Sequence, residues 1–235
     1  MARAIAALIR HGEYNQQADT PSAHQPYGLT AQGKTTVRKQ ADHLAELVDQ
    51  QAWTVAARID SSNMLRAWQT AEIFAHRLYR QDESAQSIDC YDDLAERGVG
   101  SVANLTIMQI EKIIDGDPRY ESLPAGWKSD SHYCLPFQGA ESLMQAGVRV
   151  ADHMLRQMMN VCVKSKADTA TVKLFVGHGA SFRHAAHHLG ILEFEQLAQY
   201  SMFHAQPVLI EYLDDGSWQH IGGDWKLRDG NSGLD

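Results

Sequence analysis

The sequence predicts an α/β protein built on a mostly parallel central sheet, and three observations carry that expectation. Ala4-Ile5-Ala6-Ala7-Leu8-Ile9 is an apolar run stopped abruptly by Arg10-His11-Gly12-Glu13. It is too short to span a membrane and lacks alternation, as a strand buried on both faces does. Runs of strand character then alternate with segments of helical period, the pattern of βα units. Two of the strand-like runs end directly in a histidine beside glycine, His11 and His178. In open α/β sheets the carboxyl ends of strands are where ligands bind.

Taken in order, the chain after the first strand is polar from Tyr14 to Gly28, with two prolines, and reads as a loop bordering that strand end. Thr30 is the expected cap of a helix whose Val37, Ala41, Leu44 and Val48 recur at helical spacing and face the sheet. Val55 to Asp60 reads as a second strand, with Ser61-Ser62-Asn63 as the turn at its end. Leu65 to Phe74 opens a helix with Arg66 in its first turn, where a cation opposes the helix dipole. A residue that breaks a local rule in such a place is a functional candidate. Ser87 to Tyr91 is a further strand, followed by a glycine-bordered loop in which Glu96 stands beside Arg97, by itself an ordinary surface ion pair.

Thr106 to Gln109 forms a capping box opening a short helix that ends near Asp115-Gly116. Residues 101–137 as a whole read as an insertion that caps the site and selects substrate, with Trp127 and Tyr133 either lining the site or packing within the cap. Gly139 to Leu143 introduces a long helix whose apolar stripe includes Leu143, Val150, Met154, Met158 and Val161. Val172 to Val176 is a strand ending in Gly177-His178-Gly179, and the helix behind it runs to Leu189 with Gly190 as its C-cap. Pro207 to Leu213 and Ser217 to Ile221, joined through Asp214-Asp215-Gly216, make a hairpin, and residues 226–235 are expected to be a flexible tail.

With 235 residues and 44% apolar composition, residues 1–235 suit one domain with a sizeable core. The net charge of −8 argues against nucleic acid and anionic membranes as main partners, so an anionic substrate needs a local pocket of arginines. Three cysteines, Cys90, Cys134 and Cys162, show no C-x-x-C pairing, which fits neither a disulfide framework nor a zinc site and suits a reducing, cytoplasmic setting. The first apolar run has the wrong length for a signal peptide and no small-residue cleavage pattern after it, and no apolar stretch reaches membrane-spanning length.

Two histidines and two arginines near strand ends, with one loop carboxylate, suggest phosphoryl transfer without a metal or cofactor. Arg10 and Arg66 supply planar, always-charged donors for a phosphate dianion, and a neutral imidazole can attack phosphorus covalently. The blocks Leu8-Ile9-Arg10-His11-Gly12-Glu13, Leu29-Thr30-x-x-Gly33, Ser62-x-x-x-Arg66-Ala67-x-x-Thr70-Ala71, Leu94-x-Glu96-Arg97 and Gly177-His178-Gly179 resemble the histidine phosphatase superfamily, which includes the phosphoglycerate mutases. The resemblance implies a three-layer α/β/α sandwich of phosphoglycerate mutase type. It implies His11 as the nucleophile that forms a phosphohistidine, Arg10, Arg66 and His178 as the grip on the phosphoryl group, and Glu96 as the proton donor. Tyr14, Asn15, Arg97 and Gly179 join Arg10 and Arg66 as expected substrate contacts.

Cofactor-dependent mutases of the family carry Trp-Asn after Arg-His-Gly-Glu and Asn after the second His-Gly; here stand Tyr14-Asn15-Gln16 and Ala180. These departures favour a phosphatase over a mutase. The substrate is then a small phosphorylated metabolite or a phosphoprotein, and an exposed sheet edge makes a homodimer reasonable. Three rivals are a metal hydrolase on His184, His187 and His188, a non-catalytic phospholigand sensor, and a serine hydrolase on Ser181. The first lacks a carboxylate ligand motif, the second is expected to have lost His11 or Glu96, and the third lacks the second glycine of a nucleophile elbow.

Overall fold

The computed structural model describes residues 3–21, 24–79, 87–164 and 169–228. The first strand, β1 (Arg3–Arg10), is followed by α1 (Ala31–Gln50), two short strands β2 (Thr54–Val55) and β3 (Ile59–Ser62), and α2 (Leu65–Leu78). Next come β4 (Ile88–Tyr91), α3 (Ile107–Gly116), α4 (Leu143–Lys164), β5 (Ala170–Gly177) and α5 (Gly179–His188). The chain closes with α6 (Gln196–Gln199), β6 (Tyr200–Met202), β7 (Pro207–Tyr212), β8 (Trp218–Gly222) and β9 (Trp225–Leu227).

The central sheet runs β4-β3-β5-β1-β7-β8, with β2 also paired to β5. Strands β1 to β5 are mutually parallel, and β7 and β8 add antiparallel at one side. Because side chains alternate along a strand, β1 serves two cores. Ile5, Ala7 and Ile9 pack with Val37, Ala41 and Leu44 of α1 and with Ala67, Ala71 and Phe74 of α2. Ala4, Ala6 and Leu8 pack with Val150, Met154 and Met158 of α4 and with Phe182 and Ala185 of α5. The result is three layers, with α1 and α2 on one face of the sheet and α4 and α5 on the other. β1 and β5 lie side by side while their following helices go to opposite faces, which opens a crevice at their carboxyl ends.

Three expectations need correction. The strand from Val55 to Asp60 is two strands: β2 pairs with Thr171 and Val172, β3 with Phe175 and Val176. Between them Ala56 N–H still reaches the Val172 carbonyl, after which Arg58 turns outward to a two-point ion pair with Asp89. Ser61 and Ser62 continue β3 instead of turning; both are fully buried, and small hydroxyls tolerate this because they find partners, Ser61 Oγ on the Ser62 carbonyl and Ser62 Oγ on His178. Lys226 and Leu227, expected in the tail, continue the strand from Trp225 and pair antiparallel to Tyr200 and Ser201, with Arg228 N–H on the Gln199 carbonyl. The rest of the expected tail, 229–235, lies outside the described residues.

Residues 101–137 fold around a small core of their own, with Val102, Ile110, Ile114, Trp127 and Leu135 buried together. Thr106 caps α3 through the full capping box with Gln109. Trp127 packs within this core, its indole N–H on Glu111, and Tyr133 meets it edge-on. This segment is tied to the loop after β1 by Ile107 N–H on the Asp19 carbonyl and to α5 by Ser131 Oγ on His184. No helix among the described residues is long and apolar enough to cross a membrane.

Candidate active site

The sheet delivers the site to one end of its strands. Arg10 is the last residue of β1 and His11 the next; Ser62 ends β3, His178 follows β5, and Arg66 stands one residue inside α2. The loop after β1 turns back under Gly33, where an added Cβ would come within 2.1 Å of the Glu13 carbonyl, so only glycine admits this close approach. Thr30 takes the Gly33 N–H at 2.8 Å, which starts α1 and fixes the loop's return. Gly12 N–H then finds Thr70 Oγ1 of α2 at 3.0 Å.

Hydrogen bonds fix the form of each imidazole. Nδ1 of His11 lies 2.8 Å from the Gly12 carbonyl, which can only accept, so the proton sits on Nδ1. Nε2 is left with its lone pair outward and receives Arg66 Nε–H at 3.3 Å. Arg66 also gives Nη2–H to His178 Nδ1 at 3.3 Å, so His178 carries its proton on Nε2 and donates it to Ser62 Oγ at 2.9 Å. The third edge of the guanidinium donates to the Gln25 carbonyl at 2.9 Å, and its face lies 4.6 Å from the centre of the Tyr14 ring. Arg66 is completely buried, so one rigid fork holds both catalytic candidates in register. The His11 and His178 rings are 5.1 Å apart.

Burial, then the positive charge of Arg66, then His178, Arg10 and His204, push the His11 imidazole well below its ordinary 6.5. Burial, followed by Arg66 and Arg10, does the same to His178. Both rings are therefore neutral at neutral pH, which is the form a nitrogen nucleophile requires. Arg10 anchors through Nη1 to the Met202 carbonyl at 2.9 Å, and its stem packs closely on Gly179, where an added Cβ would lie 3.1 Å from Arg10 Cδ.

Glu96 and Arg97 are not at the surface. Both are buried, and the Glu96 carboxylate accepts the Arg97 backbone N–H at 2.9 Å, since the turn Asp92–Leu94 folds this loop back onto the strand ends. The carbonyl of Leu94 in that turn lies 3.1 Å from where a Cβ on Gly177 would stand, which brings the loop against the end of β5. Burial lowers the pKa of Arg97, while Glu96 and then Glu141 raise it. Tyr14 is buried with its ring edge-on to His11 at 5.3 Å, and Asn15 is exposed at the rim with Nδ2 on the Gly28 carbonyl. Three neighbours of the cluster escaped the sequence. Ser62 stood four residues before Arg66 in a quoted block; Gln25 contributes its backbone and His204 approaches from the far end of the chain, and neither leaves a signal in spacing.

The side chains named for the rival chemistries have the following partners. His184 is bonded at both nitrogens, Nδ1 to the Ala180 carbonyl at 2.8 Å and Nε2 to Ser131 at 3.0 Å; His187 turns to Leu192 and His188 to Met144. Among the described residues no group of three His, Cys, Asp or Glu is placed to share a metal ion. Ser181 Oγ donates to the His178 carbonyl at 3.2 Å. All three cysteines are free.

The profile of the histidine phosphatase superfamily (branch 1) matches residues 6–221. No curated protein matches the chain in sequence. Among solved structures, the chain is similar to mycobacterial glucosyl-3-phosphoglycerate phosphatase at 19% identity, covering 96% of this chain and 96% of that one with a TM-score of 0.63. It is similar to phosphoglycerate mutase from Bacillus anthracis at 15% identity, covering 94% and 93% with a TM-score of 0.68. It is also similar to the alpha-ribazole phosphatase from Shigella flexneri at 18% identity, covering 92% and 94% with a TM-score of 0.64. Likeness at such identities shows a common fold. The chain belongs to the histidine phosphatase superfamily, and its fold is phosphoglycerate mutase-like.

Proposed function

We propose that the protein is a metal-independent phosphatase that hydrolyses a phosphomonoester through a phosphohistidine on His11. The observation that carries this is the state of His11: neutral, with its proton on Nδ1 donated to the Gly12 carbonyl and its Nε2 accepting from the guanidinium of Arg66. The 3.3 Å contacts of Arg66 to the two histidines are weak and are exchanged for charge-assisted bonds when a phosphoryl dianion arrives.

In the first step His11 Nε2 attacks phosphorus, the ester P–O bond breaks, and Glu96 gives its proton to the departing oxygen. The imidazolium so formed keeps its Nδ1–H on the Gly12 carbonyl. Arg10, Arg66 and His178 bind the equatorial oxygens, where charge accumulates. In the second step Glu96, now a carboxylate, takes a proton from water as the water oxygen displaces His11 from phosphorus. Tyr14, Asn15, Arg97 and Gly179 are the further contacts assigned here to the substrate, a small phosphorylated metabolite or a phosphoprotein. We keep the reducing, cytoplasmic setting on the ground of three cysteines without C-x-x-C pairing, and assign to β4 and β8, which end the strand order of the sheet, the surfaces of a homodimer.

The test is phosphate release from an aryl phosphate with chelator present, together with detection of acid-labile phosphate on the protein. Turnover that disappears in His11→Ala, with Glu96→Gln slowed, is the expected result. Turnover retained by His11→Ala refutes the covalent mechanism, and a native protein that binds phosphate without turning over makes it a sensor. Transfer to 3-phosphoglycerate instead of water would mark a mutase.

A further inference from the structure

Between β6 and β7 runs a short connection, residues 203–206, that contains none of the residues assigned above. Together with Met202, the last residue of β6, it holds the end of β1 at three points. Arg10 Nη1 donates to the Met202 carbonyl at 2.9 Å, Ala205 N–H donates to the Arg10 carbonyl at 2.8 Å, and His204 Nδ1 lies 2.8 Å from the His11 carbonyl. A carbonyl only accepts, so His204 carries its proton on Nδ1 and is the donor. The β1–β7 ladder ends at Ile9 opposite Pro207, so all three contacts lie beyond it, on the two residues that matter most to the chemistry.

The backbone of this connection is under strain. Ala205 is fully buried at φ 61°, the left-handed region that a residue with a Cβ adopts only at a steric cost. Such a conformation persists where the surroundings over-determine it, and here they hold Ala205 and His204 against consecutive carbonyls. The peptide joining His11 to Gly12 is consequently pinned from both ends: its carbonyl by His204, its N–H by Thr70 Oγ1. The next carbonyl along, that of Gly12, is the one that holds His11 Nδ1. A rotation of the pinned peptide would carry the Gly12 carbonyl with it and swing the nucleophile. The His204 ring also stands beside that of His11, 5.7 Å between centres at 52°.

We propose that His204 is a positioning residue for the nucleophile, its Nδ1–H locking the His11–Gly12 peptide so that His11 Nε2 stays aimed at phosphorus. This rests on His11 being the nucleophile. Misplacement of a reacting atom by about 1 Å lowers rate by about a hundredfold, so loss of the donor should slow the phosphorylation step while leaving the phosphate-binding cations in place.

The experiment compares His204→Ala, His204→Asn and His204→Phe on the full chain with an aryl phosphate, alongside the native protein and His11→Ala. Asparagine puts an amide N–H where Nδ1–H was; phenylalanine keeps the ring and removes the donor. The expected result is a fall in kcat of about 10- to 100-fold for Ala and Phe with KM changed by less than about twofold, and recovery to within about threefold of native in Asn. Inhibition by inorganic phosphate should be unchanged in all three. Equal losses in Asn and Phe, or native kcat in all, overturn the proposal; phosphate inhibition that weakens in parallel with kcat also overturns it, because His204 would then touch the phosphoryl group itself. Melting curves accompany each variant, and the Asn and Phe pair carries the test if Ala fails to fold. A native protein without turnover, or an active His11→Ala, brings down the phosphatase mechanism and this inference together. An inactive His11→Ala beside native-like His204 variants brings down the inference alone.

Discussion

Arg66→Lys is the substitution that most directly separates geometry from charge. The native guanidinium serves His11 Nε2 and His178 Nδ1 from two different nitrogens, each at 3.3 Å, and a third nitrogen holds the Gln25 carbonyl at 2.9 Å. Lysine keeps the positive charge but offers a single point of attachment and cannot bridge both rings. Each hydrogen bond between a charged donor and the phosphoryl oxygens in the transition state contributes about 1.5–3 kcal/mol, and lysine recovers one of two. The net loss is then about 1.5–3 kcal/mol, at its upper end comparable to removing one preorganised oxyanion donor, and corresponds to roughly 10- to 150-fold in kcat. Phosphate inhibition should weaken less than kcat falls, because the Coulomb attraction survives. The assay is single-turnover cleavage of an aryl phosphate with chelator present, with near-ultraviolet circular dichroism to confirm that the wholly buried side chain has been replaced without unfolding. An Arg66→Lys protein within about threefold of native kcat would refute the reasoning, since charge alone would then account for catalysis.

Acid should destabilise the protein early. Burial pushes His184 down to about 3 and holds His11 and His178 well below 6.5, whereas the unfolded chain titrates them near 6.5. Below about pH 6.5 the unfolded state therefore binds protons that the native state does not, and stability falls as pH falls, by about 1.4 kcal/mol per pH unit for each histidine and about 4 kcal/mol for the three together. Urea midpoints at pH 7 and 5.5 measure this, and an unchanged midpoint contradicts it. Away from the site, Lys173 and His153 both pair with the buried carboxylate of Asp60. Lys173→Met should lower stability by about 3 kcal/mol by leaving that carboxylate half-compensated, with kcat of the folded protein unchanged; a stability equal to native in denaturant titration would show that His153 suffices.

Much of the architecture was readable along the chain because it rests on local rules. The unbroken apolar run of β1 announced a strand buried on both faces, and the period of Val37, Ala41, Leu44 and Val48 announced the buried face of α1. Thr30 and Thr106 marked their helix starts by side-chain capping, which involves residues three apart. Arg66 betrayed itself by opposing a helix dipole, and its burial now explains why the rule was broken. The split between β2 and β3 was not readable, because both halves have strand character and the break comes from two different registers on β5.

The residue types of the candidate site, two histidines, two arginines and a glutamate, were read from the sequence and its family resemblance alone. Their chemical states were decided by tertiary structure. Which nitrogen of His11 bears the proton depends on the Gly12 carbonyl, which nitrogen of His178 does so depends on Arg66, and the neutrality of both depends on burial. Glu96 and Arg97, which composition alone would place at the surface, are buried because the loop after β4 folds back onto the strand ends. His204 belongs to the cluster only because β7 pairs with β1 and brings residue 204 to residue 11. A spacing pattern records what lies three or four residues apart; the contacts of Arg66 with His11 and His178 span 55 and 112 residues and that of His204 with His11 spans 193, and only the folded sheet brings such segments together.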